Sequence, residues 1–333
     1  MEDRNKEKTM MQARKLLIEY GQNAFEIAKS AILHERIIDE RVYEALRYFM
    51  EECWYDVQHP ALLSLTCEAV GGQRENTKYV GAAVALLAGA ADIHDDILDK
   101  SKIKGDKLTV FGKFGTEIAI LAGDALLFRG LILLHEACKR LPETQKEIIP
   151  NILKEAFFNI GNAEVRQKVF KGNFNLKPSE YCKVIEIKAS VAEACTRIGA
   201  IIGGGRQEQI DALGRYGKTL GFLMTIRDDF IDIFELDELN NRIRNECLPL
   251  PILYALQDSK TREKLISIIK KGHVSEDELQ KILDLVMESK EVQKLREKMK
   301  SLIWKGRSFL QVVDNSHIRD YLYLLLDATI EDL

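Results

Sequence analysis

The sequence predicts an all-α protein. Apolar residues recur at steps of three and four over long segments, which is the periodicity of helices with one buried face. Only six prolines and 21 glycines interrupt 333 residues, and no segment alternates apolar and polar residues as a half-buried strand does. No break is long enough for a domain linker, so we expect residues 1–333 to form a single large helical domain.

The first half of the chain is predicted to be mostly helical. Periodic segments predict helices over residues 13–32, 42–50 and 118–138, and the pair Gly71-Gly72 ends another. The segment 77–98 is apolar almost all round and rich in glycine and alanine. A helix without a polar face is buried, so we expect this segment to be the central helix.

The second half is also helical, with short breaks. Loops are expected at residues 105–112, 141–142 and 173–179, and a helix opens after Pro178. Two prolines within residues 248–251 are expected to end a segment that starts at Tyr216. The remainder, 258–333, has the pattern of amphipathic helices with solvated charges.

Composition excludes several classes of protein. With 46% apolar residues and a net charge of -4, the chain has enough apolar side chain for a core and is not disordered. The balanced charge gives no electrostatic reason to expect a nucleic-acid partner. No uninterrupted apolar run reaches the roughly 18 residues of a membrane span, and the charged first residues are unlike a secretory signal. Six scattered cysteines favour a reducing compartment. We therefore expect a cytoplasmic protein.

An acidic cluster lies at the end of the predicted central helix. Asp95 and Asp96 lie four and three residues before Asp99, so one helix face holds all three carboxylates. Like charges at this spacing repel, which destabilises the helix unless a cation neutralises them. Carboxylates without His or Cys ligands suit a hard ion such as Mg²⁺, shared with substrate phosphates. His94 points away from that face and is expected to pack or form a hydrogen bond.

A second acidic cluster follows another apolar helix, residues 220–226. It contains Asp228, Asp229 and Asp232, in the same DDxxD spacing as the first. One acidic cluster on a helix is usually a surface feature, but two such clusters after two apolar helices are far less expected by chance. If they face each other across a bundle, they hold several Mg²⁺ ions with a diphosphate as the bridging ligand.

These motifs resemble the trans-isoprenyl diphosphate synthases, also called polyprenyl synthetases. The resemblance rests on His94-Asp95-Asp96-Ile97-Leu98-Asp99, on residues 115–124 and on Asp228-Asp229-Phe230-Ile231-Asp232. Lesser matches over residues 50–256 are Gly71-Gly72, Lys188, Gly199-Ala200, Tyr216-Gly217 and residues 251–256. The resemblance implies the all-α isoprenoid synthase fold, a helical bundle around a central cavity, usually assembled as a homodimer.

The resemblance also implies a Mg²⁺-dependent prenyltransferase. The expected metal ligands are Asp95, Asp96, Asp99, Asp228 and Asp232, and these five with Asp229 are the expected catalytic residues. Metal ions acting as Lewis acids help diphosphate leave an allylic prenyl diphosphate, and a dry apolar pocket protects the cation from water. The double bond of isopentenyl diphosphate then attacks the cation, and a proton is lost. Lys104 and Lys188 are expected to bind substrate.

The helix before the first motif lines the chain-length channel in this family. Here Ala90 and Ala91 are small, so a deep channel is expected, with Leu87 or Val84 as its floor. The alternative is that these small residues serve tight helix packing.

The chain departs from the family at the isopentenyl diphosphate site. Asp56, Val57 and His59 stand where the family has Lys, Arg and Arg, and Ala88 replaces a His. Further departures are Gly105, Met224-Thr225 and a missing lysine within residues 246–249. Together these changes remove the cations that a second diphosphate needs. The alternative is a local misalignment, with Lys113, Arg129 or Arg227 serving instead.

Three functions therefore stay open at this stage. The first is a prenyltransferase using isopentenyl diphosphate or an unusual acceptor. The second is a class I terpene synthase that acts on one prenyl diphosphate. The third is a non-catalytic partner subunit of a complete synthase, which would make the assembly heteromeric. The departures from the family favour a terpene synthase, a partner subunit or a prenyltransferase with an unusual acceptor. The intact aspartate motifs disfavour a non-catalytic subunit. The resemblance to the family favours a prenyltransferase.

Overall fold

The computed structural model describes residues 2–36 and 39–331. The predicted domain 1–333 also contains Met1, Ile37, Ile38, Asp332 and Leu333, which lie outside the described residues. The α-helices of the described part are α1 (Glu2–Leu33), α2 (Glu40–Tyr48), α3 (Gln58–Ala69), α4 (Lys78–Asp99), α5 (Val110–Phe114), α6 (Thr116–Cys138), α7 (Glu143–Lys146), α8 (Ile148–Val169), α9 (Pro178–Lys188), α10 (Ser190–Ile202), α11 (Gln207–Asp232), α12 (Leu236–Asn245), α13 (Leu250–Ala255), α14 (Ser259–Ile269), α15 (Glu276–Met287), α16 (Lys290–Phe309) and α17 (Ser316–Asp327). The predicted all-α class is confirmed.

The segment 105–112, predicted as a loop, instead contains the turn and second strand of a small hairpin and the start of α5. Two two-residue strands, β1 (Ile103–Lys104) and β2 (Lys107–Leu108), pair antiparallel through a turn at Gly105, where φ is +59°. Strands of two residues are too short to show an alternating pattern, so the sequence did not reveal them. The hairpin lies directly after the first acidic motif and carries Lys104.

The segment expected to run from Tyr216 to the prolines is divided in two. Helix α11 ends at Asp232, and α12 covers residues 236–245 before Pro249 and Pro251. Those prolines start α13 instead of ending a helix: Pro249 is its N-cap and Pro251 lies in its first turn. A proline in the first turn loses no hydrogen bond, because the first N–H groups of a helix have no partner within it.

Helix α4 lies at the centre of the molecule, as predicted. It packs mainly against α6 and also against α1 and α3. Glycines permit close approach: a Cβ at Gly130 would lie 3.0 Å from the Leu87 side chain, and one at Gly123 would lie 2.5 Å from His94. At the other end of the chain α17 packs on α1, with the Tyr20 and Tyr321 ring centroids 6.0 Å apart.

Helix α6 combines a buried face with an exposed apolar face. Ala119, Ala122 and Leu126 are fully buried, whereas Phe128 is 69% exposed. By length and composition alone it is the described helix that could cross a membrane, with a mean hydropathy of 1.8. Core helices pass the same test, so this finding alone does not place α6 in a membrane. It does qualify the expectation that no segment is apolar enough to span one.

Candidate active site

The first aspartate motif occupies the last turn of α4. The helix ends at Lys100, which adopts the left-handed conformation with φ of +58°, and Ser101 N–H bonds the Asp96 carbonyl. The carboxylates therefore lie at the negative end of the helix dipole, which is unfavourable for anions. Together with their mutual repulsion, this makes a neutralising cation necessary at this end of α4.

Asp95 and Asp99 form a cluster with Glu164 of α8. One carboxylate oxygen from each lies within 4.8 Å of the other two. Asp95 Oδ1 and Glu164 Oε2 are buried without a hydrogen-bond partner. Burial, reinforced by Glu164 and Asp99, raises the pKa of Asp95 well above its ordinary value. Unpartnered buried carboxylate oxygens converging on one point fit a hard divalent cation such as Mg²⁺.

Asp96 points to another set of partners. Lys104 of the hairpin places its Nζ 2.7 Å from Asp96 Oδ1 and 2.8 Å from Asp92 Oδ1. Burial raises the pKa of Asp96 to about 7, although Lys104 opposes this. Lys104, predicted to bind substrate, here neutralises the motif itself.

Lys168 and Lys188 pair with two members of the Asp95, Asp99 and Glu164 cluster. Lys168 pairs with Asp99, and Lys188 Nζ lies 2.8 Å from Glu164 Oε1. The Lys188 charge opposes the raised pKa of both Asp95 and Asp229. The positive charge of Lys188 therefore acts on one carboxylate of each aspartate motif.

The second motif occupies the last turn of α11, where its three carboxylates differ in environment. Asp229 is 3% exposed and accepts hydrogen bonds from Arg242 Nη2 at 2.8 Å, Leu250 N at 2.9 Å and the Tyr181 hydroxyl at 3.3 Å. Asp232 is partly buried, and burial raises its pKa to about 8. The Asp228 side chain is 65% exposed. Asp228 and Asp232 are thus the more solvent-accessible carboxylates of this motif, whereas Asp229 is buried among its three hydrogen-bond donors.

Arg242 of α12 joins the second motif to the first. Its guanidinium is buried, with Nη1 3.2 Å from Glu246 Oε2 and 3.8 Å from Asp232 Oδ2. Asn241 Nδ2 donates to Glu246 Oε1 at 2.8 Å and to the Ser101 hydroxyl at 3.0 Å, immediately after α4. A continuous polar network therefore connects the ends of α4 and α11.

Four residues of this network, Glu164, Lys168, Arg242 and Glu246, were not predicted from the sequence. Glu164 with Lys168 on α8, and Arg242 on α12 with Glu246 at its C-cap, are oppositely charged residues four apart. This spacing is typical of surface ion pairs, so nothing in the sequence distinguished them. Their role follows only from where α8 and α12 pack.

Similarity to known proteins identifies the family of this chain. Residues 57–286 match the model of the polyprenyl synthetase family. The chain belongs to this family. The predicted isoprenoid synthase fold and the prenyltransferase class are confirmed with it, and neither the terpene synthase nor the non-catalytic alternative is better supported.

Three relatives show the extent of the likeness. The chain is 29% identical to a short chain isoprenyl diphosphate synthase of Methanothermobacter thermautotrophicus, over 79% of this chain and 82% of the relative. It is 30% identical to a geranylgeranyl diphosphate synthase of Sulfolobus acidocaldarius, over 68% of this chain and 71% of the relative. The geranylgeranyl pyrophosphate synthetase of Pyrococcus horikoshii superposes with a TM-score of 0.81 at 25% identity, covering 96% of this chain and 99% of that one.

Asp56, one of the departures from the polyprenyl synthetase pattern, has a structural role here. It is buried and accepts hydrogen bonds from the Gln58 and His59 backbone N–H groups, both at 3.1 Å, at the start of α3. Its Oδ2 lies 2.8 Å from His59 Nδ1. Burial acts to lower the pKa of His59, but the Asp56 carboxylate outweighs it and the pKa is raised. Two of the expected cation positions are thus occupied by an internal pair.

A mostly apolar cavity lies beside these positions. Its volume is 260 Å³, and the residues lining it are Met10, Ala13, Arg14, Leu17, Gln58, Leu62, Leu220, Met224, Arg227, Leu325, Ala328 and Thr329. Of the alternative cations named above, Arg227 lines this cavity. Lys113 lies 3.4 Å from the centroid of the Tyr48 ring, and Arg129 pairs with Glu35 at 2.8 Å.

The predicted channel residues of α4 differ in burial, with Ala90 1% exposed and Leu87 and Ala91 partly buried. Leu87 and His94 pack on Gly130 and Gly123 of α6, and Ala90, three residues after Leu87, belongs to the same face. Ala91 is only partly buried and lies four residues after Leu87 and four before Asp95, so it is at the edge of the packed face, toward the motif. The packing of Leu87 supports the tight-packing alternative for that residue, while the position of Ala91 supports a place in the channel.

Proposed function

We propose that this polyprenyl synthetase is a Mg²⁺-dependent prenyltransferase that ionises an allylic prenyl diphosphate and transfers the prenyl group to isopentenyl diphosphate or to a less charged acceptor. The observation that carries this proposal is the cluster of Asp95, Asp99 and Glu164, with two buried oxygens unpartnered, linked through Lys188 to the second motif. In this cluster carboxylates outnumber cations, and metal ions correct the imbalance.

The aspartates have different roles in binding metal ions. We propose that Asp95, Asp99, Asp228 and Asp232 hold Mg²⁺ directly, with Asp96 joining them when Lys104 leaves it. Bound Mg²⁺ supplies Lewis-acid neutralisation of the charge that develops on the departing diphosphate. Asp229 acts indirectly: it keeps Arg242 beside Asp232.

The lysines that now neutralise carboxylates are placed to bind the diphosphate. When metal ions neutralise Asp96 and Glu164, Lys104 and Lys188 become free to donate to diphosphate oxygens. Ala91, on the same face as Asp95, continues the site as an apolar wall. Such a wall excludes water from the allylic cation, which water would otherwise quench.

The 260 Å³ cavity is the proposed place of the second substrate. Two of its lining residues lie at the departures from the family: Gln58 is between Val57 and His59, and Met224 is itself a departure. The cations that line it are Arg14 and Arg227. Fewer cations than the family pattern provides should weaken binding of isopentenyl diphosphate, because each charge-assisted hydrogen bond contributes about 1.5–3 kcal/mol. A less charged acceptor depends less on these hydrogen bonds, so its binding is weakened less.

One incubation series tests the proposed reaction. Purified protein, Mg²⁺ and allylic diphosphates of several lengths are combined with and without isopentenyl diphosphate, and products are identified by mass. Elongated products, or adducts with an added acceptor, support the proposal. Hydrocarbon or alcohol products without any acceptor would instead identify a terpene synthase, and no turnover beside intact metal binding would identify a partner subunit.

Metal binding is tested separately by thermal shift. A ligand that binds only the folded state stabilises it, so Mg²⁺ with an unreactive diphosphate should raise the Tm of the wild type. Asp95→Ala and Asp228→Ala should each abolish most of that rise. If each variant keeps the full rise, the two motifs do not share a site.

We also propose that the protein is a homodimer. Large apolar side chains are exposed on α6 and α8, namely Ile120, Leu121, Phe128, Leu131, Ile132, Phe157, Phe158, Val165 and Val169. Exposed apolar surface on this scale is typical of interfaces, and the family is usually homodimeric. Light scattering of the pure chain checks this: a monomer that dimerises only with another synthase would point to the heteromeric alternative.

We propose a cytoplasmic location and a single domain for the chain. All six cysteines are free thiols, which suits a reducing compartment. The packing of α17 on α1 brings both ends of the described chain into one body. Fractionation of expressing cells checks the location, and a single cooperative unfolding transition checks the domain.

A further inference from the structure

A second hollow lies on the face of α11 opposite the 260 Å³ cavity. Its volume is 370 Å³, and it follows the groove between α11 and α16, with one residue from α9. Arg215, Lys218, Lys298, Lys305 and Glu186 contribute charges, and Thr219, Phe222, Leu302 and Phe309 contribute the remaining lining. A volume above about 300 Å³ is in the range of small-molecule sites.

Both helices present the same combination of side chains to this groove. On α11, Phe222 follows Arg215 by seven residues and Lys218 by four, so the three side chains share one helix face. On α16, Lys298 lies four residues before Leu302 and Lys305 lies four residues before Phe309, about one helical turn in each case. Cations therefore line the rim and aromatic or aliphatic side chains line the floor.

Most of these positive charges are not neutralised by the protein. Lys218 lies 3.5 Å from Glu193. Arg215 lies over the Phe309 ring, 5.2 Å from its centroid. Among the described residues, no carboxylate lies within ion-pair distance of Arg215, Lys298 or Lys305. Cations that share one groove repel each other, and an anion bound among them relieves this repulsion.

We propose that this groove binds an amphiphile with a phosphate head and a single hydrocarbon tail. Lysine and arginine are the usual partners of phosphate oxygens, and the tail covers Phe222, Leu302 and Phe309. A small anion alone leaves that apolar floor in contact with water, and an uncharged ligand leaves the cations unpaired. The active site is acidic and needs metal to hold a phosphate, whereas this groove is basic and needs none. The proposal does not depend on which acceptor the enzyme uses.

Titration calorimetry with decyl phosphate, below its micelle concentration and with a metal chelator present, tests the proposal. The wild type is compared with Lys298→Glu/Lys305→Glu and with Lys260→Glu/Lys264→Glu, which changes the net charge equally on exposed α14 positions outside the groove. We expect the groove variant to bind about tenfold more weakly or worse, and the control to stay within about twofold of the wild type. Equal weakening in both variants, or in neither, overturns the proposal.

Three further probes identify what the groove recognises. Inorganic phosphate should bind much more weakly than decyl phosphate, and decyltrimethylammonium should not bind. Vesicles of anionic phospholipid distinguish a membrane surface from a free amphiphile. If the vesicles bind through the same lysines while decyl phosphate does not bind, the groove is a membrane contact and the proposal is wrong. Circular dichroism and wild-type prenyltransferase activity confirm that each variant is folded.

Discussion

Replacing Arg242 by methionine removes the cation at the centre of the buried network. Asp229 and Glu246 are each 3% exposed, and both contact the Arg242 guanidinium, at 2.8 and 3.2 Å. Methionine keeps most of the aliphatic volume, so the change tests charge more than packing. Two carboxylates are left in the interior without their cation, and breaking a buried pair in this way costs about 3–5 kcal/mol.

The free energy needed to protonate Asp229 in the variant has a similar magnitude and depends on pH. The unpaired Asp229 can take up a proton in place of the lost cation. Holding a carboxyl protonated at pH 7, when its unfolded pKa is near 4, costs about 4 kcal/mol, and at pH 5 about 1.5 kcal/mol. The loss of stability in Arg242→Met should therefore be small at pH 5 and grow as the pH rises to 7.

Urea unfolding followed by far-ultraviolet circular dichroism at pH 5 and pH 7 measures both values. Arg244→Met is the matched control, because Arg244 is an exposed arginine on the same helix. Adding Asp229→Asn to Arg242→Met should reduce the pH dependence, since the amide has no proton to lose. A loss equal to that of the control, or one that does not change between pH 5 and 7, would refute the assignment of a buried ionic network.

The remaining predictions concern the metal site, its titration and the channel. Glu164→Gln should weaken Mg²⁺ binding in calorimetry, because it removes one of three converging carboxylates, while Glu155→Gln on the exposed face of α8 should not. The metal-free protein should lose stability as the pH rises from about 4 to 8, because Asp232 keeps its proton in the fold up to a pKa of about 8 whereas the unfolded chain releases it near 4. Thermal melts across this range check the sign, and a Tm that rises throughout would contradict it. Ala91→Phe should shorten the longest prenyl chain accepted, as measured from product lengths. Ala90→Phe should chiefly lower the Tm, because it overpacks the contact between α4 and α6. The reverse pattern would place Ala90 in the channel.

Local sequence patterns predicted most of the helices well. The segment 77–98 was identified as a buried central helix because it lacks a polar face, and α4 covers Lys78–Asp99. The errors fell where local rules allow two outcomes. Pro249 and Pro251 can end a helix or begin one, and the four strand residues of the hairpin are too few to carry a period.

The site was predictable only in part, for a related reason. The DDxxD motifs are visible because their carboxylates are close in the sequence and repel on one helix face. Their environments are not visible: Asp229 and Asp232 are three residues apart, yet Asp229 is held by Arg242 and Tyr181 while Asp232 is partly open to the site. That difference depends on which helix packs beside each side chain.

The sequence by itself thus determined the fold class, the central helix and the two acidic clusters, since helical period and charge spacing are properties of neighbouring residues. Only the tertiary structure decided that Glu164 joins Asp95 and Asp99, that Lys188 pairs with Glu164, and that Asp56 accepts hydrogen bonds from the first N–H groups of α3. These contacts join residues far apart in the chain. Their energies depend on burial and distance, which exist only once the helices have packed.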